Sequence, residues 1–202
     1  GAFAAGQHLE GWTVRLEQEL RSGTFLGVAG EFLQSEGHRQ VGMVQLQPGP
    51  GGPFNTAQFR QDLDFREQSL TATFNQLVSR EWSLGARYRV SRAELDSIFP
   101  GIPATAPAAP GFQQEESVES ILHQVQLNAI YNHPSGFFAG ASAIWNHQSN
   151  RGYTPDRPGD DFWQFNVEAG WRFFRRRLEV RTGLLNITDR DYRMNPLNLT
   201  QE

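Results

Sequence analysis

Three things are missing from this chain of 202 residues, and each narrows what it can be. There is no cysteine, which rules out disulfides, thiolate metal sites and a cysteine nucleophile. No run of about 20 apolar residues occurs, so a membrane-spanning helix is excluded. There is no strong charge of either sign: 18 basic against 22 acidic residues give a net −4, and no basic stripe interleaves with aromatics, so nucleic acid is not an expected partner. The opening Gly1 to Gly6 is small-residue text with no charged and apolar cleavable leader, and is read as belonging to a mature or partial chain. Hydrophobic residues make up 38% and mean hydropathy is −0.53. Yet the chain has 15 Phe, 5 Trp and 20 Gly. A disordered chain would lack those aromatics. Low hydropathy with many aromatics and glycines suits a wall in which only every second residue meets lipid.

What is present is alternation with period two. Trp12, Val14, Leu16 and Leu20 alternate with Thr13, Arg15, Glu17, Glu19 and Arg21. Trp82, Leu84, Ala86, Tyr88 and Val90 alternate with Ser83, Gly85, Arg87, Arg89 and Ser91, and Phe165, Val167, Ala169, Trp171 and Phe173 with Gln164, Asn166, Glu168, Gly170 and Arg172. Further strands are expected at Leu26–Phe32, Leu63–Val78, Ile121–Tyr131, Phe137–Trp145 and Leu178–Leu184, eight in all. The third slips parity between Leu63/Phe65 and Leu70/Ala72/Phe74, which predicts a bulge or an extension beyond a membrane.

The connections alternate as well. Those near Ser22, Arg80, Pro134 and Arg175 are short, while those at roughly 35–59, 96–117 and 148–161 are long and rich in Gly, Pro, Asn and Asp. Short inner turns and long outer loops are the asymmetry of an outer-membrane barrel. The expected fold class is therefore all-β: one domain segment over 1–202, an antiparallel transmembrane β-barrel segment of about eight strands with short periplasmic turns and long extracellular loops. A soluble ligand-binding β-sandwich is the competing architecture. Phe25, Trp82, Tyr131, Phe137 and Phe173 lie beside the short turns, and Trp12, Trp145, Phe162 and Trp163 toward the long loops. Two belts of interfacial aromatics are expected from that placement. Arg15, Glu17, Glu19, Arg21, Arg87, Arg89, Glu168, Arg172, Glu179 and Arg181 are expected on the lumen face, since a charge facing lipid costs about 2–4 kcal/mol at the bilayer centre. Most of these charges are expected to pair across strands. By strand direction both chain ends fall on the long-loop side, so the chain is expected to be part of a larger barrel, truncated at both ends.

Residues 183–199 carry the most specific text, with Gly183, Asn186, Asp189 and Tyr192 spaced G-x-x-N-x-x-D-x-x-Y. This stretch resembles the penultimate strand and last outer loop of TonB-dependent receptors and related large bacterial outer-membrane barrels. With strands seven and eight the resemblance covers about a fifth of the chain; elsewhere it is architectural. It implies uptake of a small solute across the Gram-negative outer membrane, with lipid as a partner, and a periplasmic energy-coupling protein engaged through upstream segments. A final strand would follow the loop, where this sequence stops at Glu202. The same text is similar to barrels joined to tetratricopeptide repeats that export polysaccharide, and an export or structural barrel is the alternative.

No catalytic constellation stands out, so no enzyme activity and no cofactor is expected. Asp160-Asp161 and Asp62-x-Asp64 are paired acids of the kind that bind Ca²⁺, although solvated loop acids are commoner. His8, His38, His123, His133 and His147 have neither i,i+4 helical spacing nor cysteine partners, so no metal is expected. His123 interrupts an apolar face and is expected to meet headgroups or a neighbouring subunit. Asn186-Ile-Thr and Asn198-Leu-Thr are incidental sequons. The segments Pro48–Pro53 and Pro100–Pro110 read as outer loops that recognise ligand or shield the mouth.

Overall fold

The computed structural model describes residues 8–45, 55–102, 112–174, 177–195 and 197. It is all-β, with no helix among the described residues. Eight strands follow in chain order: β1 (His8–Leu20), β2 (Thr24–Gln45), β3 (Asn55–Leu77), β4 (Trp82–Ile98), β5 (Glu115–Asn132), β6 (Phe137–Arg151), β7 (Asp161–Phe173) and β8 (Leu178–Leu184). They form one sheet in sequential order, every neighbouring pair antiparallel, with β1 and β8 at its edges.

Tight turns explain the meander. Gly23, at φ +71°, returns its N–H to the Leu20 carbonyl at 3.1 Å. The β5–β6 turn depends on Gly136 at φ +102°, where a Cβ would stand 2.4 Å from the Arg172 carbonyl oxygen. Gly136 N–H donates to the His133 carbonyl and its own carbonyl accepts from Arg172 N–H. Only glycine reaches this conformation without strain.

The ladders leave no room for the expected bulge. β2–β3 runs unbroken from Thr24↔Gln76 to Gln45↔Asn55, and β3–β4 from Leu77↔Ser83 to Asp62↔Ile98. The parity slip in β3 is therefore no bulge: the strand stays regular while the apolar side changes faces. The long connections are correspondingly shorter than the sequence suggested, because much of 35–59 is strand, and the others begin after Ile98 and Arg151. Pro48–Pro53 and Asn198 lie outside the described residues, as does most of Pro100–Pro110.

With no second layer, the sheet can bury side chains only on a face that curls inward. Arg89 on β4 accordingly reaches Glu31 on β2, across β3. Near the short turns the inward, concave face is polar and the convex face apolar. Toward the long-connection end the two exchange. Phe65, Ala93, Val118 and Leu122 are buried on the concave side, while Asp62, Asp64, Arg66, Arg92, Glu94, Asp96 and Glu119 fall on the convex parity. An apolar convex face over a polar concave one is thus continued by a segment whose convex face is charged and whose concave side buries both apolar residues and Gln61, Glu67, Ser91, Ser120 and Gln148.

Candidate functional site: the polar concave face

The register places Arg15, Glu17, Arg87, Arg89, Glu168, Arg172 and Arg181 on one face, as their alternation suggests. It gathers them into two groups. On β1–β4, Arg15 Nη1 is 3.6 Å from Glu17 Oε1. The Arg89 side chain is 7% exposed and 3.4 Å from Glu31; Ser69 Oγ bridges them, accepting from Arg89 at 3.2 Å and donating to Glu31 at 3.0 Å. Arg15, Glu17, Glu31 and Arg87 line an opening of about 260 Å³ together with Thr71 and Thr73. On β7–β8, Arg172 donates to Glu179 at 2.9 Å and to Asn132 at 2.7 Å. Arg181 joins Glu168 at 3.2 Å and Glu179 at 2.9 Å. Of the expected charges, Arg89, Glu168, Arg172, Glu179 and Arg181 pair across strands, Arg15 and Glu17 pair within β1, and Arg21 lies in the first turn.

Between the two groups the lining is neutral and hydrogen-bonding. Gln124 donates to Asn146 at 2.9 Å and Asn166 to Ser142 at 3.1 Å. Ile130, Ile144 and Phe138 are apolar on the same parity, and the surroundings of Phe138 account for it. It pairs with Gly170, where a Cβ would stand 2.4 Å from the ring, so the aromatic lies over the glycine. Arg172 and Arg181 cover the same ring, 4.2 and 5.3 Å from its centroid, a cation–π arrangement. Glu31 and Ser69 were not singled out from sequence. Their signal was available in the odd positions of β2 and β3, which continue the polar parity of Glu17 and Arg87.

At the long-connection end the chain after β8 packs back onto the concave side of β6 and β7. Tyr192 stacks on Phe162 with centroids 4.7 Å apart. Gln148 donates to the Asn195 carbonyl at 2.9 Å and accepts from Asn195 N–H at 2.6 Å. Arg193 N–H reaches Asp160 at 2.8 Å. The G-x-x-N-x-x-D-x-x-Y spacing acquires physical content here. Asn186 and Asp189 sit at φ +48°, which Asn and Asp tolerate better than most residues, and Asn186 closes its turn through paired 3.3 Å bonds with the Arg190 backbone. Tyr192 is the anchor. In the 152–160 connection, burial raises the Tyr153 phenol above its ordinary pKa, with Arg157 5.5 Å from its ring.

The paired acids do not form open carboxylate sites. Asp62 faces Arg60 at 2.5 Å and Asp64 faces Arg66 at 2.7 Å. Asp160 turns to Arg193, while Asp161 accepts from Trp145 and meets His147. No three His, Asp or Glu residues among those described are grouped to hold a metal.

On the convex face, Trp82, Tyr131, Phe137, Trp171 and Phe173 form a continuous chain of ring contacts at 4.8 to 6.5 Å beside the short turns. Trp145 and Trp163, 6.4 Å apart, stand toward the other end, and Trp12 is 71% exposed on β1. Two expected belt members belong elsewhere. Phe25 shares the concave parity of its partners Glu19 and Asn75, and Phe162 is 4% exposed beneath Tyr192. Position near a turn indicates depth but not face, and these two occupy the alternate parity. Comparison of the chain with protein-family models, curated proteins and solved structures returns no match.

Proposed function

We propose that this chain is part of the wall of a bacterial outer-membrane β-barrel of the TonB-dependent-receptor-like class, admitting a small solute past its polar concave lining. The observation that carries the reading is the convex band between the two aromatic belts. Along β7 the ten-residue step from Trp163 to Phe173 is about 34 Å at ~3.4 Å per residue, or about 24 Å of height at ~45° tilt. That height agrees with the roughly 25 Å apolar band of a transmembrane barrel. Phe165, Val167, Ala169 and Trp171 fill the interval on that face. Beyond the outer belt the convex face turns charged, as a surface leaving hydrocarbon must. The edges β1 and β8 expose unpaired backbone that a membrane does not tolerate, so further strands are inferred to close the wall.

Detergent dependence and solute entry test this reading in turn. Purified protein should need detergent or lipid to remain dispersed, and should show unheated bands of altered mobility in dodecyl sulfate gels. A monomer stable in plain buffer would refute the membrane reading. Reconstituted vesicles should then admit small hydrophilic solutes. A membrane-inserted protein that passes none would favour the export or structural barrel.

A further inference from the structure

The convex face carries one polar row that the lining does not use. His123 and His147 are directly opposed on β5 and β6, with ring centroids 6.2 Å apart. Each Nδ1 is engaged by the strand on the far side. The Tyr88 hydroxyl on β4 is 2.8 Å from His123 Nδ1. The Asp161 carboxylate on β7 is 3.0 Å from His147 Nδ1, and is itself held by the Trp145 indole N–H at 2.8 Å. Because the two nitrogens of an imidazole point in well-separated directions, each Nε2 is left directed away from the strand that engages its Nδ1. The His147 ring also stacks on Trp145 at an interplanar angle of 14°.

We infer that His123 and His147 form a two-imidazole site for a divalent transition-metal cation of the Zn²⁺/Cu²⁺ type, oriented by Tyr88 and Asp161. Four strands contribute side chains to this arrangement. A carboxylate or hydroxyl on Nδ1, leaving Nε2 to the ion, is the usual support of a ligating histidine, since it fixes tautomer and ring angle. The span is close to what two ligands need. Zn–N bonds of about 2.0 Å put the two ring centroids about 5 Å apart at a tetrahedral angle, against the 6.2 Å observed. The two side chains must therefore approach by about 1 Å on binding. His147 is 44% exposed, so water or headgroup oxygens can complete the shell. Imidazole is a good ligand for Zn²⁺ and Cu²⁺ and a poor one for Mg²⁺ or Ca²⁺. Asp161 retains its role as the acceptor on His147 and need not move.

The test uses the whole chain folded in detergent, titrated with Zn²⁺ alone by calorimetry and with Cu²⁺ alone by electron paramagnetic resonance. One equivalent should bind, and the Cu²⁺ spectrum should carry coupling from two nitrogens, falling to one in His147→Gln. His123→Ala and His147→Ala should each weaken Zn²⁺ at least about tenfold, and Asp161→Asn by about 10- to 100-fold with both ligands still present. His133→Ala, in the β5–β6 turn, should leave affinity unchanged. Sheet circular dichroism identifies any variant that has unfolded, and His147→Gln then replaces His147→Ala. Binding that survives both histidine substitutions, or that follows His133, overturns the site. The outcome is independent of transport: a metal-binding chain that conducts nothing keeps this inference and loses the preceding one.

Discussion

Replacing Val167 by arginine puts the two-faced wall to its hardest test. Val167 is on the convex side of β7, 41% exposed, paired with Ala141 and Leu184. Trp163 lies four residues toward one end and Phe173 six toward the other, which at ~3.4 Å per residue and ~45° tilt sets Val167 about 10 Å below the outer belt. That is near the middle of the band, too deep for a guanidinium to reach water without distortion. An arginine there should cost about 2–4 kcal/mol, or about 30- to 1,000-fold in the folding equilibrium. Gln164→Arg, on the concave face of the same strand, should cost less than about 1 kcal/mol because that face is polar and hydrated. The assay is reversible folding into phospholipid vesicles, followed by tryptophan fluorescence across a urea series. Equal costs for the two substitutions would refute the assignment of faces to lipid and lumen. A Val167→Arg protein that stays folded and soluble without detergent would favour the sandwich.

Three further perturbations probe the interior. Glu31→Ala removes the carboxylate facing Arg89, whose side chain is 7% exposed, and should destabilise by about 1–3 kcal/mol; Glu31→Gln, which keeps an acceptor for Ser69, should cost less, as read from urea midpoints. Phe162→Ala deletes the stacking partner of Tyr192 and should release the chain beyond β8, so that trypsin cuts after Arg190 and Arg193 several-fold faster than in the unaltered protein, whereas unchanged cleavage would mean the Gln148–Asn195 bonds suffice. Gly136→Ala strains a positive φ and drives a Cβ against the Arg172 carbonyl; about 1–3 kcal/mol should be lost, measured as a lower folding midpoint.

How much of this was legible in the sequence depended on whether one parity held along a strand. Over Trp12–Leu20 of β1, Trp82–Ser91 of β4 and Trp163–Phe173 of β7 it does, and the charged face, the apolar face and the short turns were all readable from residues such as Arg87 and Val167. In β3 it does not: Phe65 and Phe74 are both apolar yet occupy opposite faces, because the strand continues past the band where apolar means outward. A period-two pattern reports side chains relative to one environment, and a strand that leaves that environment looks broken although its ladder is intact. The packing of the chain after β8 was hidden for another reason. Gln148 and Asn195 are 47 residues apart, and nothing local in either segment anticipates their pairing. The histidine row is intermediate. Neither His123 nor His147 shows a metal spacing along the chain, yet the Asn132↔Phe138 pair at the base of the Gly136 turn sets the register, and stepping back nine residues on each strand brings His123 opposite His147. In an antiparallel meander, spacing measured from the turn does the work that i,i+4 spacing does in a helix. A histidine pair placed symmetrically about a tight turn is therefore the pattern to seek in such walls.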